Sequence, residues 1–246
     1  MADFADDAEG LKLLAPFKEK VDAISQAKIG LSLTEDLINP RSSDENPISV
    51  RNSETALGDI ITDGMLAKAK QYTPKKVIMA FQNGGGIRAA IPKGDVTTGQ
   101  VITVLPFGNT LALMDITGAE LKAAFEHSVK EVPKESGGFL HIAGAQLQYD
   151  SSKEAGSRVI SLKYYDETTK GYVDVQDTTT YTVATNAFTA KGGDGFTMFE
   201  KAYNEGRVTD LGLSDWENFK EQLLSLKEIN YLTEGRIVDI ATQKTN

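Results

Sequence analysis

The spacing of apolar residues along the chain alternates between two periods, which predicts a mixture of helices and strands. Apolar side chains three or four positions apart predict an amphipathic helix over residues 10–29, at Leu11, Leu14, Phe17, Val21 and Ile24. Similar spacing predicts further helices at about 53–72, 97–104, 118–132 and 214–228. The helix near 53 is expected to begin at Asn52 or Ser53 and the last helix at Ser214, because such side chains cap helix N-termini.

Short apolar runs closed by turn residues predict strands instead. They lie at about 29–38, 77–81, 110–116, 145–150, 158–165, 181–185 and 236–240. Segments 39–47 and 166–178 are rich in chain breakers or polar residues, so both are predicted to be loops. Because strands and helices are mixed throughout and no repeat occurs, the predicted fold class is α/β or α+β.

Composition narrows the function without identifying it. The chain has 246 residues, of which 40% are hydrophobic, and a formal net charge of −9. This charge argues against nucleic-acid polymers and anionic membranes as partners, although local arginines can still hold a small anion. The lack of cysteine excludes disulfides and thiolate metal sites. No apolar run is long enough to predict insertion into a membrane.

The strongest local signal is the glycine loop, residues 83–88, which reads Asn-Gly-Gly-Gly-Ile-Arg after an apolar strand. Its glycines are expected to let backbone N–H groups approach a ligand. Asn83 suits a base edge or a carbonyl, and Arg88 suits a phosphate. The loop also fits the loose dinucleotide pattern G-x-G-x-x-A, but Pro92 and Gly94 interrupt the helix that this pattern needs, so we exclude a Rossmann site.

Other candidate ligand contacts each have a structural alternative. Arg51 lies ahead of a predicted helix N-terminus, where backbone donors and the helix dipole also favour an anion. Phe107 and Phe188 lie in turn-rich segments; a single Phe usually belongs to a core, but an aromatic pair can sandwich a flat base. Asp194 lies within Gly-Gly-Asp-Gly-Phe, where it either contacts a ligand or stabilises a glycine turn.

Catalytic side chains are not evident in the sequence. His127 lies on a predicted helix and His141 in an apolar run, so both are predicted to be structural or surface residues. A di-metal centre needs several His and Asp ligands placed together, and no H-E-x-x-H, G-x-S-x-G or Asp-x-His pattern occurs. The residues therefore predict ligand binding without visible catalytic machinery.

Five motifs, in this order and spacing, resemble the C-terminal domain of the 5′-nucleotidase family. They are the glycine loop, Val-Leu-Pro-Phe-Gly-Asn at 104–109, Ala-Phe-Glu-His-Ser-Val at 124–129, the Gly-Phe-Leu and Ala-Gly pieces of 138–144, and segment 186–196. The resemblance covers about residues 48–240 and implies a layered α/β/β/α domain. In that family this domain grips the nucleoside and helps to hold the phosphate.

The resemblance implies a role for each candidate near the base and the sugar. Phe107 and Phe188 would stack on the base, and Asn83 would bond its edge. Asp194 would accept hydrogen bonds from the ribose hydroxyls, and Gly144 would supply a backbone contact near the base.

The phosphate would be held by Arg51 and Arg88, because planar guanidinium groups fit phosphate oxygens. Gly85 and Asn109 would belong to the same substrate-binding site.

The resemblance also implies a division of labour between domains. Residues 1–47 would form a linker helix and loop, and residues 48–246 the nucleotide-binding domain. A preceding metallophosphatase domain would hold two divalent metals and the catalytic Asp–His pair, and its motifs do not occur in this chain. We therefore expect the substrate-binding domain of a bacterial nucleotide phosphoesterase, a 5′-nucleotidase or a 2′,3′-cyclic phosphodiesterase/3′-nucleotidase. This domain would have no cofactor of its own and would be inactive alone.

The expected partners are a nucleotide or nucleoside and the metallophosphatase domain, in an extracellular, periplasmic or cell-wall location. Two other function classes stay open. One is a free-standing nucleotide-binding or interaction module without hydrolase activity. The other is a complete enzyme with unfamiliar chemistry, for which only Asp, Glu and the two histidines are available. The preferred base also stays open, because stacking tolerates every base.

Overall fold

The computed structural model describes residues 7–243. Its helices are α1 (Ala8–Gln26), α2 (Ala56–Tyr72), α3 (Thr98–Val104), α4 (Gly118–Val129), α5 (Ala187–Ala190), α6 (Thr197–Asn204), α7 (Asp215–Ser225) and α8 (Ile240–Gln243). Its strands are β1 (Lys28–Leu33), β2 (Val77–Asn83), β3 (Gly94–Thr97), β4 (Thr110–Thr117), β5 (Leu140–Ala143), β6 (Ala145–Tyr149), β7 (Val159–Asp166), β8 (Gly171–Asp174), β9 (Thr180–Asn186), β10 (Val208–Ser214) and β11 (Ile237–Asp239).

The strands form three sheets. The central sheet has five strands in the order β10-β4-β9-β2-β5. Within it β2 and β9 run parallel, and the other neighbours run antiparallel. A four-stranded sheet, β11-β6-β7-β8, and the pair β1-β3 complete the set. The predicted mixed α/β class is therefore confirmed.

Two hydrophobic cores lie on the two faces of the central sheet, because successive side chains of a strand point to opposite faces. Leu113 of β4 belongs to one core, together with residues of α2, α3 and α7. The next residue, Met114, belongs to the other core, together with residues of α4, α6 and the four-stranded sheet. The central sheet is thus covered by helices on one face and by a second sheet with two helices on the other.

Three distant loops meet at one edge of the central sheet. Asn83 and Asn186 are the last residues of the parallel neighbours β2 and β9, whose carboxyl ends lie at the same edge. Leu111, near the start of the antiparallel β4, pairs with Asn186, so the segment before β4 arrives there as well. The glycine loop, segment 107–109 and segment 187–196 are therefore brought together by strand pairing.

The helix caps differ from the prediction. Helix α2 is capped by Thr55 and by neither candidate. Asn52 instead donates hydrogen bonds to the carbonyls of Pro47 and Pro133, so its amide joins two loops. At α7, Ser214 occupies the predicted cap position, but its side chain makes no capping hydrogen bond.

The sequence patterns miss several elements, namely β3, β5, β8, β10, α5, α6 and α8. Strand β8 lies inside segment 166–178, for which the sequence predicts a loop, and it pairs with β7. Its residues alternate only between half-buried and exposed, so it carries no apolar pattern. Such a strand depends on its partner rather than on its own composition.

Part of the N-terminal segment that is predicted to be a linker packs on the domain. Strand β1 pairs with β3, and Leu33 and Leu37 are buried in the core beside α2. Residues 28–37 therefore belong to the folded domain, although the predicted linker extends to residue 47. Helix α1, by contrast, has no buried residue. No helix within residues 7–243 combines the length and the apolar character needed to cross a membrane.

Candidate functional site

An open cleft of about 450 Å³ lies at the edge where the three loops meet. The structure brings every predicted site residue except Gly144 to this cleft. Its lining comprises Arg51, Asn83, Gly85, Gly86, Arg88, Phe107, Asn109, Gly137, Phe188 and Asp194. Residues that are as far apart in the chain as 51 and 194 therefore share one small volume.

Gly144 lies elsewhere, between β5 and β6, with a φ of 73°. It lines a separate hollow with Tyr165 and Arg236. A β-carbon at this position would lie 2.8 Å from the carbonyl oxygen of Ile78, so packing and backbone conformation explain the glycine. Gly144 therefore does not share the cleft with the other predicted site residues. Gly137, which sequence analysis missed, is the glycine that reaches the cleft from this part of the chain.

The two candidate phenylalanines are not core residues. Phe107 is 60% exposed and Phe188 is 45% exposed, whereas Phe81 and Phe199 are fully buried. The guanidinium carbon of Arg88 lies 5.8 Å from the centre of the Phe107 ring, within the range of a cation–π contact. Both rings line the same cleft, so the core alternative for Phe107 and Phe188 is excluded.

Two of the three glycines in the loop bind other backbone segments through their N–H groups. The N–H of Gly84 donates to the carbonyl of Phe139 (2.7 Å), and the N–H of Gly85 donates to the carbonyl of Gly137 (2.8 Å). A β-carbon on Gly84 would lie 2.3 Å from the carbonyl oxygen of Val50. The glycines therefore allow three backbone segments to pack closely. Two of their N–H groups are engaged within the protein and are not offered to a ligand.

Asn83 is held by a buried network that fixes the direction of its amide. Its Oδ1 accepts hydrogen bonds from Gln82 (3.1 Å), Asn186 (3.0 Å) and Thr189 (3.3 Å). Its Nδ2 donates to Oδ2 of Asp194 at 2.7 Å. An amide nitrogen has two N–H groups, so Asn83 keeps one donor for a ligand while its oxygen is engaged.

Asp194 both forms a glycine turn and lines the cleft. Its backbone is in the left-handed region, with φ 55° and ψ 19°. Its carbonyl oxygen lies 2.9 Å from Nε2 of His127. A carbonyl only accepts, so Nε2 carries the hydrogen. The exposed carboxylate is thus anchored through its main chain by His127 and through its side chain by Asn83.

The positive charge of the cleft is concentrated in a group of arginines. Nε of Arg51 is buried and has no hydrogen-bond partner within residues 7–243. Burial lowers the pKa of Arg51, and the nearby charges of Arg41 and Arg88 lower it further. Arg41 lines an adjoining hollow with both of them, and its guanidinium lies 3.1 Å from Glu135. Sequence analysis missed Arg41, because it lies in a breaker-rich loop without a motif.

The main chain around Arg51 is fixed on several sides. Its N–H donates to Oγ of Ser49 (3.1 Å), and its carbonyl accepts from the N–H of Ser136 (2.9 Å). The preceding carbonyl, that of Val50, accepts a 2.8 Å hydrogen bond from Nε2 of His141. His141 is fully buried, and burial lowers its pKa to about 4, so the ring is neutral at pH 7. This agrees with its predicted structural role.

The described residues contain no cluster of side chains suited to bind a metal ion. Among residues 7–243, no set of three or more His, Cys, Asp or Glu side chains is arranged to hold a metal ion. The two divalent metals that the family resemblance implies therefore have no fitting donor set among these residues. The site includes two exposed aromatic rings, one carboxylate, the side-chain amides of two asparagines and two guanidinium ions.

This combination defines the class: a mixed α/β domain whose cleft suits a small ligand that is both flat and anionic. Residues 32–201 match the family model described as 5′-nucleotidase, C-terminal domain. The chain belongs to the 5′-nucleotidase family and corresponds to its C-terminal domain.

Two relatives with similar sequences support this assignment. The chain is 38% identical over 237 residues to the trifunctional nucleotide phosphoesterase protein YfkN of Bacillus subtilis, covering 96% of this chain and 15% of that protein. It is 34% identical over 198 residues to a 5′-nucleotidase of Homo sapiens, covering 77% of this chain and 34% of that protein. The chain thus spans well under half the length of these relatives.

Solved structures show the same fold. A 5′-nucleotidase precursor from Thermus thermophilus superposes with a TM-score of 0.79 at 41% identity, over 94% of this chain and 43% of that chain. The NAD nucleotidase of Haemophilus influenzae superposes with a TM-score of 0.70 at 26% identity, over 94% of this chain and 41% of that chain.

Proposed function

We propose that this chain is the substrate-binding domain of a metal-dependent nucleotide phosphohydrolase. The observation that carries this proposal is the convergence of Phe107, Phe188, Arg51 and Arg88 on one cleft from separate loops. Aromatic faces suit a nucleobase and guanidinium groups suit a phosphate, so the cleft offers both halves of a nucleotide a complementary surface.

The nucleoside binds between the two phenylalanine rings in this proposal. Stacking on aromatic side chains contributes about 1–3 kcal/mol per base, whichever base it is. The carboxylate of Asp194 accepts hydrogen bonds from the ribose hydroxyls. The remaining N–H of Asn83 donates to an acceptor atom on the base edge, because its oxygen is already engaged by three donors. Asn109 forms part of the same wall, and its carbonyl is anchored by the N–H of Asp215.

The phosphate binds to Arg51 and Arg88. Guanidinium groups make paired hydrogen bonds with phosphate oxygens, which hold the anion in one orientation. The partial burial of Arg51 strengthens its attraction for an anion, because a lower local dielectric screens charge less. The positive charge of Arg41 in the adjoining hollow adds to the same local field.

The chemical step belongs to another domain of the parent protein in this proposal. Metal ions bound there would supply an activated water for attack on phosphorus. The residues of this chain hold the base, the ribose and the phosphate in a fixed orientation, which lowers the entropic cost of the reaction. The isolated chain is accordingly proposed to be inactive, and the family resemblance favours an extracytoplasmic location for the parent.

Calorimetric titration of the pure 246-residue chain with AMP, adenosine and inorganic phosphate tests the binding proposal. We expect AMP to bind more tightly than adenosine in the wild-type protein. Arg88→Gln should reduce this difference, because it removes a phosphate contact. Lys93→Gln, which neutralises an exposed charge outside the cleft lining, should leave the difference unchanged. Equal affinities of the wild type for AMP and adenosine would rule out the phosphate site.

Assays of AMP hydrolysis with added Mn²⁺ or Zn²⁺ test the division of labour. No turnover is expected from the isolated chain, and robust metal-dependent turnover would refute the proposal. If the same reading frame encodes a metallophosphatase domain upstream, the proposal of a phosphohydrolase parent is supported. If the gene lacks that domain and the chain binds AMP, the alternative of a free-standing nucleotide-binding module is supported instead.

A further inference from the structure

Asn186 connects two walls of the cleft, although it does not line the cleft itself. It is the last residue of β9, and its side chain is fully buried. Its Nδ2 donates to Oε1 of Gln82 (3.0 Å) and to Oδ1 of Asn83 (3.0 Å). Its Oδ1 accepts a 2.9 Å hydrogen bond from the N–H of Thr189. Both amide hydrogens and the amide oxygen are therefore engaged.

The oxygen of Asn186 controls the position of one stacking ring. It caps the N-terminus of α5, the four-residue helix that carries Phe188. An N-cap side chain satisfies a backbone N–H that has no partner within the helix, and its loss destabilises the helix start. The orientation of α5, and with it the direction of the Phe188 ring, depends on this contact.

The nitrogen of Asn186 acts on the Asp194 carboxylate through Asn83. By donating to Oδ1 of Asn83, it directs Nδ2 of Asn83 towards Oδ2 of Asp194. If the Asn83 amide rotated by half a turn, two oxygens would face each other, which an unprotonated carboxylate disfavours. Together with Gln82 and Thr189, which donate to the same oxygen, Asn186 thus fixes which group Asn83 presents to Asp194.

We propose that Asn186 is a positioning residue that couples the stacking ring to the ribose-binding carboxylate and so sets affinity for the nucleoside part of the ligand. This inference rests on the proposed function and deepens it. The arginines of the proposed phosphate site are held by other contacts, although the charge of Asp194 raises the pKa of Arg51. The main chain of Arg51 is held by Ser49 and Ser136, and Nη1 of Arg88 donates to the carbonyl of Gly85.

Two substitutions separate the coupling from simple capping. Asn186→Asp keeps an oxygen that caps α5 but removes both donors. Asn186→Ser also keeps a capping oxygen and avoids a buried charge. Asn218→Asp is the matched control, because Asn218 is also a buried asparagine but lies on α7, away from the cleft. Each variant is titrated with adenosine and with inorganic phosphate, and its folding is checked by thermal denaturation.

We expect both variants at position 186 to lower adenosine affinity by about tenfold or more, which corresponds to about 1.4 kcal/mol. Phosphate affinity should stay within about twofold of the wild type, an equilibrium difference below about 0.5 kcal/mol. Asn218→Asp should leave both affinities unchanged even if it lowers the melting temperature. As a readout without ligand, the Asn83 side-chain amide signals in a ¹⁵N–¹H spectrum should shift in Asn186→Asp and Asn186→Ser but not in Asn218→Asp.

Unchanged adenosine affinity in Asn186→Asp and Asn186→Ser would show that Asn186 only caps α5, which overturns the coupling and leaves the proposed function standing. A parallel loss of adenosine and phosphate affinity would show a general structural defect and would also overturn it. A wild-type chain that binds neither ligand would overturn the proposed function and this inference with it.

Discussion

The ring of Phe188 lies directly against the backbone of Gly193. A β-carbon on Gly193 would lie 2.4 Å from Cε1 of the ring, well inside contact distance. The glycine before Asp194 therefore makes room for an aromatic wall of the cleft, and the position of the wall is linked to the turn that carries the carboxylate.

Gly193→Ala is expected to push the Phe188 ring from its place and to weaken adenosine binding by about tenfold, or about 1.4 kcal/mol. Inorganic phosphate binding should be unaffected, because the arginines are held elsewhere. Gly171→Ala is the control, since the nearest atom to a β-carbon at Gly171 is 4.0 Å away. Calorimetric titration of both variants measures the effect, and an unchanged adenosine affinity in Gly193→Ala would contradict it.

Phe107→Ala should weaken ligand binding while leaving the stability of the fold nearly unchanged. Because Phe107 is largely exposed, its removal should change the free energy of unfolding by no more than about 0.5 kcal/mol. Adenosine binding should weaken by about 1–3 kcal/mol, the range for one stacking contact. Phe81→Ala, in the core, should instead destabilise the fold by about 3–5 kcal/mol. Urea denaturation measures the stability of both variants, and titration with adenosine measures their binding. Strong destabilisation by Phe107→Ala would show that this ring belongs to a core.

His141 should make the protein sensitive to acid. Burial lowers its pKa to about 4. The hydrogen bond to the Val50 carbonyl and the charge of Glu54 oppose this shift in the pKa, and the charge of Arg236 adds to it slightly. The unfolded chain takes up the proton near the ordinary value of 6.5, so stability is fully present above pH 6.5 and is lost as the pH falls towards 4. This loss amounts to about 3 kcal/mol, at about 1.36 kcal/mol per pKa unit.

His141→Gln keeps a donor within reach of the Val50 carbonyl but cannot titrate. The variant should therefore lose less stability than the wild type between about pH 7 and pH 4.5, the interval in which the unfolded chain gains the proton. Urea denaturation at several pH values measures both curves, and parallel curves would exclude His141 as the source of the acid sensitivity.

Asp59 should have the opposite dependence on pH. Burial raises its pKa to about 8; the charge of Arg236 opposes this shift, and those of Glu54 and Asp63 add to it. Neither carboxyl oxygen has a hydrogen-bond partner within residues 7–243. The unfolded chain releases the proton near 3.8, so Asp59 lowers stability progressively as the pH rises from about 4 through 8.

Asp59→Asn mimics the protonated form and should be more stable than the wild type, by a margin that grows from about pH 5 to about pH 8.5. Melting temperatures of both proteins at the two pH values test this. A margin that shrinks with rising pH would show that Asp59 is ionised in the folded protein and stabilised by Arg236.

The local pattern of the sequence is sufficient to predict most of the long elements. Helices α2, α4 and α7 follow from apolar periodicity, because periodicity reports which face of a helix is buried. Strands β2, β4 and β9 follow from short apolar runs. Helix α1 has the same periodicity, although none of its residues is buried. Short elements such as β3 and β8 have too few apolar residues to form a pattern. Their existence depends on pairing with a partner strand.

The candidate site is predictable as a set of residue types but not as a geometry. Glycine, asparagine, phenylalanine and arginine in characteristic motifs indicate a flat, anionic ligand and the family. The motifs do not show that Gly144 lies outside the cleft or that Gly137 lies inside it. They also do not show that Gly84 and Gly85 use their N–H groups internally.

The sequence by itself determined the chemistry available to this protein: the rings, the guanidinium groups and the carboxylate in their turns. Only the tertiary structure decided which of them meet. Asn83 and Asn186 are 103 residues apart, and they touch because β2 and β9 pair in parallel and end at the same edge. That pairing depends on the packing of two cores against both faces of one sheet, which no local pattern of residues encodes.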